Sequence, residues 1–572
     1  STEGAALNRK LLRVKYYKGL GTSTPAEARE YCEDLSRHRY YFAYTGQGDE
    51  DALDLAFNKE RPGDRRDWLA QTPWSASHED ALPADLGSDA SDIQISYETF
   101  VHSELSRFSM ADNVRSLPSV VDGLKPSQRK VLYACLKRNL TSEIKVAQLA
   151  GYCSEHTAYH HGEASLHSTI IGMAQDFCGA NNINLLVPDG GFGTRHAGGK
   201  DAGAPRYIYT KLSQETRLLF PKGDDPLLEY LTDDGMQVEP RFFVPVIPIL
   251  LINGAVGIGT GWSTEIPMYN PRDVIKSLRS RIERDLGVDA EMPVSRLVPW
   301  YRGFKGEITM DEETSKIMTQ GVATRRQRSA TIVDITELPI GRLHERMVAT
   351  LEKLMESGVV TSYKIRNTST EWHYEVKLSK GAAKKRNTDS EESLRSLFRL
   401  TSNIVCKFHA FDADGHIRDY GSAEAIMEDY YRVRADLYAR RYRDQISQLE
   451  GQILRLENKD RFLKEVSDGT LKLYNVELED VRKTLIARDY ARESDIRAIL
   501  LRERDGSADV SDPANEYDYL LRTNFLSATA QKRRGLQREL DDCSKELAML
   551  QSLEPLNLWL NDLDALEEHM QG

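Results

Sequence analysis

From about residue 422 the apolar positions fall into heptads. Ala435, Ala439, Tyr442, Ile446, Leu449, Ile453 and Leu456 step by four and three, and Leu463 keeps the register past polar Asp460. Leu536, Leu540, Cys543, Leu547 and Leu550 repeat the pattern. Two heptad helices separated by an insert predict an antiparallel coiled coil, with the insert, about 467–527, at its far tip. Two ordinary amphipathic helices in a bundle would give the same spacing. Residues 266–421 instead alternate in strand-like runs: Gly306–Met310, Ala330–Ile335 and Trp372–Leu378, with a helix over Arg342–Ser357. The basic, polar stretch Lys380–Asn387 predicts a mobile hairpin tip. Residues 93–265 read as short helices and loops. Among them Pro126–Lys137 carries helical spacing (Val131, Leu132, Cys135, Leu136), with Pro126 suited to a first turn. Pro25–Arg39 is charged and helical, and Leu82–Asp92 is a polar connection.

These changes of period divide the chain into 1–92, 93–265, 266–421 and 422–572. At 572 residues it is too long for one core, and its class is multidomain α+β. No run of eighteen apolar residues occurs, so no membrane span and no membrane partner are expected, and Ser1–Gly4 carries no signal-peptide pattern. Six scattered cysteines without a C-x-x-C read as reduced thiols rather than a zinc site.

The net charge of −12 argues against nucleic acid until it is read locally. Leu105–Leu212 holds twelve basic against eight acidic residues, a modest cationic excess inside an acidic chain. The same stretch holds the candidate chemistry. Tyr207 directly follows Arg206 in Ala202-Gly-Ala-Pro-Arg-Tyr-Ile-Tyr-Thr210. Upstream lie Tyr159-His160-His161-Gly162-Glu163 and the glycine-rich Asp189–Arg195. A free tyrosine has a pKa of about 10. It attacks a phosphodiester only where cations stabilise the phenolate and the charge on phosphorus. An Arg–Tyr pair taken alone is equally a structural tyrosine beside a surface arginine. Adjacent histidines also suggest a metal, but neighbours on one strand or helix rarely point at one ion. Gln128-Arg129-Lys130 projects from the first turns of a helix, where N–H groups and basic side chains bind phosphates; a solvated helix end would look the same. Gly257-Ile258-Gly259 offers an apolar wedge on a flexible turn, or a buried turn isoleucine.

The order of several motifs resembles the breakage-reunion region of the eukaryotic type IIA DNA topoisomerases (topoisomerase II). They are Lys15–Ser23, Arg115–Pro126, Gln128–Leu132, Lys145–Gly151, Tyr159–Glu163, Phe192–Arg195, Arg206–Tyr207 and Leu251–Trp262. The resemblance implies a C-terminal Toprim remnant and linker at 1–92. A winged-helix (helix-turn-helix) cleavage domain at 93–265 and an α/β tower domain at 266–421 would follow, then a coiled coil ending in a helical C-gate. It implies Tyr207 as nucleophile, with Arg206, Arg115 and His161 as its cationic cluster, and Ile258 as the intercalating wedge. Lys59, Lys125, Arg129, Lys130, Tyr159, His160 and Lys200 match DNA-contact positions. The implied partners are double-stranded DNA and a second copy of the chain, since one tyrosine cuts one strand. Topoisomerase poisons bind between bases at such sites, and Ala164 and Gly191 alter that pocket relative to the family, as Val256 departs from its usual Glu. Magnesium is implied through Toprim acids, yet neither Glu-Gly-Asp-Ser nor Asp-x-Asp-x-Asp-Gly occurs here. ATP is implied only through an ATPase domain that this sequence does not contain. The implied location is the nucleus, with an organelle as the alternative. Two other readings compete: a noncatalytic DNA-bending clamp of the same fold, and a tyrosine recombinase, against which the heptads argue.

Overall fold

In a computed structural model of the chain, the described residues are 23–33, 35, 39–70, 93–233, 235–288, 296–310, 316–327, 329, 331–381, 390–473, 476–504, 515–523 and 530–571. The expectations for Lys15–Thr22, for Leu82–Asp92 and for all but the first two residues of 380–387 lie outside them. The chain forms two compact units, 1–113 with 260–262, and 114–259 with 263–572.

In the first unit α1 (Pro25–Glu33), α2 (Gln47–Phe57) and α3 (Pro62–Ala70) accompany a parallel pair of strands, β1 (Tyr40–Ala43) and β2 (Ile93–Ser96). β2 runs into α4 (Tyr97–Phe100), where Ser96 caps the helix by accepting the Thr99 N–H at 3.0 Å. Buried Asp49 of α2 accepts the Glu98 N–H at 2.8 Å and so ties α2 to α4. A π-helical turn at Val101–Leu105 leads to α5 (Ser106–Ser116), whose last residues belong to the second unit.

The second unit holds three apolar cores. The first gathers residues between Val120 and Leu297, the start of the longest helix, and three residues near the C-terminus. Its helix α6 (Pro126–Arg138) starts with Pro126 in the first turn and the Gln128 side chain accepting the Lys125 N–H at 2.9 Å. It ends at Asn139, which takes the left-handed conformation at φ 48. Val131, Leu132, Cys135 and Leu136 are buried, the face their spacing predicts. Around α6 lie α7 (Val146–His156) and α8 (Glu163–Ala174). A three-stranded antiparallel sheet orders β3 (Ile144–Lys145), β5 (Tyr209–Leu212) and β4 (Leu186–Asp189), with β5 central. Two hairpins follow, β6 (Tyr230–Asp233) with β7 (Met236–Pro240), and β8 (Ala255–Ile258) with β9 (Ser263–Ile266). α9 (Pro271–Asp285) is capped by Asn270.

The second core lies under an antiparallel sheet of β12 (Val322–Arg325), β13 (Ile332–Glu337), β15 (Tyr374–Leu378) and β14 (Val360–Ile365), covered by α10 (His344–Glu356). Beside it β10 (Glu307–Met310), β11 (Ile317–Gln320) and β16 (Thr401–Ile404) make a second antiparallel sheet. The hairpin β17 (His409–Phe411) with β18 (Ile417–Asp419) follows.

The third core belongs to the C-terminal helices. α11 (Ala423–Ser467) is one continuous helix, about 68 Å long at 1.5 Å per residue. α14 (Ala530–Gln551) runs back along it. The insert does not stop at the tip as the heptads suggest. Its helix α13 (Glu493–Leu500) lies against α11 between Asp444 and Asn458, while α12 (Leu478–Ala487) joins the third core at the helix end. The contact face on α11 is small and polar, so hydrophobic spacing does not reveal it. Arg504 grips buried Asp444 at 2.7 and 2.9 Å, and a Cβ at Gly451 would meet Leu500. The last helix, α15 (Pro555–Gln571), returns to the first core. Trp559 is fully buried there, stacked on Tyr431 and Tyr438 (ring centroids 5.1 and 5.3 Å), and donates its indole N–H to the Val246 carbonyl at 2.9 Å.

Candidate functional site

The alternation of β5 begins in the turn before it and sends Tyr207 outward. Ile208 and Thr210 are buried, whereas Tyr207 is 68% exposed. The Tyr207 N–H donates to the Ala204 carbonyl at 2.9 Å, which closes the turn. The first N–H groups of α7 have no partner within their own helix. Here Val146 donates to Ile208 at 3.0 Å and Ala147 to Pro205 at 3.1 Å, so the helix start holds the tyrosine turn on both sides. The Arg206 guanidinium lies 4.8 Å from the centre of the Tyr207 ring, within cation–π range, and Arg206 is exposed.

The histidines leave the other end of α7. Ala158 takes a left-handed φ of 46 and turns the chain into Tyr159, His160 and His161. The Tyr159 and His161 rings meet edge to face at 5.5 Å, and His161 is exposed. His160 Nε2 is 3.5 Å from Asp233 Oδ2 on β6, so this imidazole is turned to the β6–β7 hairpin.

Arg115 is exposed in the last turn of α5. The next residue, Ser116, touches the β8–β9 ribbon so closely that a Cβ at Gly257 would run into its carbonyl oxygen. Lys125, just before α6, donates its ammonium to the Val256 carbonyl at 2.8 Å; burial holds that ammonium below its ordinary pKa. Between these supports Ile258 is 81% exposed and Val256 68%. An isoleucine so exposed on a clamped ribbon is a projecting wedge and not a core residue.

Three expected DNA contacts are engaged within the protein instead. Arg129 is 8% exposed and faces inward, with its guanidinium on both oxygens of Asp122 at 2.6 and 3.0 Å and on the Leu124 carbonyl at 3.1 Å. It is a buried structural cation, because the inward face of α6 meets the Asp122 turn. Lys130 is partly withdrawn, bonded to the Thr157 carbonyl at 2.6 Å and to Glu239 at 2.7 Å. His160 is engaged by Asp233 as above. Lys200 is exposed at the end of the glycine-rich loop, and Lys59 lies in the first unit in the turn between α2 and α3.

The sequence passes over what holds the tyrosine loop. Gln175 donates its amide to the carbonyls of Phe192 and Gly199 at 2.9 and 3.2 Å. Asp201 accepts the Thr194 N–H at 2.8 Å and its hydroxyl at 2.7 Å. Burial raises the Asp201 carboxyl, but those bonds outweigh it and hold the group below the usual range. Gly193 and Gly199 have φ of 93 and 78 and approach each other too closely for a side chain at 193. That cluster of glycines is the one sequence signal for the loop.

A family model described as "DNA gyrase/topoisomerase IV" matches residues 115–564, and one described as "C-terminal associated domain of TOPRIM" matches 4–113. Mitochondrial DNA topoisomerase 2 of Dictyostelium discoideum is 38% identical over 562 residues, covering 98% of this chain and 41% of that protein. DNA topoisomerase 2-alpha of Sus scrofa is 37% identical over 590 residues, covering 99% and 38%. The chain thus spans about two fifths of the length of such relatives. The crystal structure of the Plasmodium falciparum topoisomerase II DNA-binding, cleavage and re-ligation domain aligns with a TM-score of 0.79 at 35% identity, covering 98% of this chain and 75% of that one.

Proposed function

The chain belongs to the type II DNA topoisomerases, and from that premise we propose that it is the module that breaks and reseals DNA through Tyr207. The observation that carries the proposal is an exposed phenol on a turn fixed from both sides, with a guanidinium against its ring. Tyr207 Oη attacks a backbone phosphorus in line. The phosphorus–O3′ bond breaks, the 3′ oxygen takes up a proton, and the protein is left joined to the 5′ phosphate. One phosphoester replaces another, so the free 3′ hydroxyl reverses the step without outside energy. Arg206 and Arg115 hold the non-bridging oxygens as charge gathers on phosphorus, a role suited to a planar fork that stays protonated. His161 donates to the phosphate. Ile258 enters the base stack and kinks the duplex, which costs on the order of 1–6 kcal/mol by elastic estimates. Exposed Lys59 and Lys200, with Lys125 and Tyr159, offset that cost through backbone contacts that position the duplex without reading its sequence.

Residues 93–265 are the winged-helix domain, 266–421 the tower, and α11 with α14 the coiled coil. α12 presents Leu478 and Ile486, each 53% exposed, two turns apart, and these are the proposed contact with a second copy. Two copies place two tyrosines on opposite strands and make the break double. Magnesium, when bound, polarises the leaving oxygen. This chain's residues do not fit it: among the described residues the one trio with suitable atoms is Asp412, Asp414 and His416. There the Asp412 carboxylate already accepts the N–H groups of Asp414 and His416 at 3.0 and 2.8 Å. The acids expected to hold the metal are outside this sequence, and the steps above use only side chains within it.

The test is a denaturing gel for a covalent adduct between the full-length protein, with Mg²⁺, and a labelled duplex. The parent gives an adduct, and Tyr207→Phe binds DNA and gives none. A parent that binds and bends DNA without any adduct would leave the noncatalytic clamp standing instead.

A further inference from the structure

Residues 189–203 connect β4 to the tyrosine turn through glycines that leave the backbone little stiffness of its own. Gly190, Gly193, Gly198 and Gly199 all have positive φ, between 62 and 107. A loop of this composition takes its position from whatever grips it. Two grips are local, the Gln175 amide and the Thr194–Asp201 pair. The third reaches across to the second core. At the loop's apex Arg195, His196 and Ala197 form one 3₁₀ turn. Arg195 pairs with buried Glu337 at 2.8 Å and donates to the Leu338 carbonyl at 3.1 Å. His196 lies flat on Trp372, ring centroids 4.1 Å apart and planes within 12°. His344 and Tyr374 extend the stack: His196–His344 is 6.4 Å at 20°, Trp372–Tyr374 is 6.0 Å at 19°, and His344 Nδ1 is 2.9 Å from Tyr374 Oη. Trp372 is buried, and its indole nitrogen has no hydrogen-bond partner among the described residues, so its ring face is what it offers.

We infer that His196 is a positioning residue for the cleavage reaction, docking the tyrosine loop onto the second core through its stack on Trp372. The inference rests on the reading of Tyr207 as nucleophile. The mechanical link is short. The Gly203 N–H donates to the Gly191 carbonyl at 2.7 Å, and the Tyr207 N–H to that of Ala204 at 2.9 Å, so a shift of 193–199 passes into the turn that carries the phenol. The groups facing the imidazole are Arg195 and Asp201 on its own loop and His344 from α10, with Tyr374 and Glu337 behind them on the sheet. Burial first, then His344 and Arg195, hold its pKa below the ordinary value, so the ring on Trp372 is neutral at pH 7. Flat stacking and not a proton is then what the site uses, and an aromatic ring without a proton can replace it.

The experiment uses the full-length protein with Mg²⁺ and a labelled duplex, and measures cleaved fraction at saturating DNA, DNA affinity and melting temperature. His196→Ala is expected to lower the cleaved fraction about tenfold or more, the scale of a small misplacement of a reacting group. Affinity and melting should stay at parental values. His196→Phe is expected to restore cleavage to within about twofold of the parent, since its ring can stack as the imidazole does. Parental cleavage by His196→Ala, or a His196→Phe variant as weak as His196→Ala, would overturn the inference while the parent's adduct leaves the role of Tyr207 intact. No adduct from the parent would overturn both.

Discussion

Arg129 and Asp122 form a bidentate ion pair inside the protein, with the carboxylate fully buried and the guanidinium nearly so. Asp122 also accepts the N–H groups of Leu124 and Phe243 at 3.0 and 3.1 Å. Four donors thus converge on one carboxylate and fix the turn that leads into α6. Removing one partner leaves a buried charge uncompensated, which costs about 3–5 kcal/mol. Arg129→Ala is therefore expected to destabilise the fold by that amount in denaturant titration. A variant of parental stability with weakened DNA binding would return Arg129 to the DNA surface.

Arg206 differs in every respect: it is exposed and contacts the nucleophile's ring. Arg206→Ala should leave melting unchanged and DNA affinity nearly so. Cleavage should fall about 10²–10³-fold, the cost of losing one group that stabilises transition-state charge. Single-turnover cleavage at saturating DNA reads this directly, and a near-parental rate would remove Arg206 from the chemistry.

Ile258 projects from a ribbon held by Lys125 and by the close approach of Gly257 to Ser116. Ile258→Ala should straighten bound DNA without unfolding the ribbon, because the side chain contributes little to any core. Energy transfer between dyes at the duplex ends measures the bend. An unchanged angle would show that something else kinks the DNA.

Leu478 and Ile486 leave an apolar face on α12 exposed to water. The paired change Leu478→Ser and Ile486→Ser should shift the protein from dimer to monomer in sedimentation at micromolar concentration, with the helix content intact. A dimer of parental strength would move the contact to another surface.

The chain's own order of apolar residues was enough for the long elements. α6, α10 and α11 are legible because each repeats its buried positions over several turns. Ile258 and Tyr207 are legible as candidates because glycines flank one and an arginine precedes the other. Sequence does not reveal which cations face solvent. Arg129 and Lys130 are neighbours on one helix with the same charge, yet one is committed to Asp122 and the other to Glu239. Their fate depends on acids 7 and 109 positions away, and no local period encodes that. The same holds for α13 on the polar flank of α11, for Trp559 returning to Tyr431 and Tyr438, and for His196 on Trp372. Periodicity records which face of an element avoids water, whereas pairings between distant polar and aromatic groups exist only once the chain has folded them together.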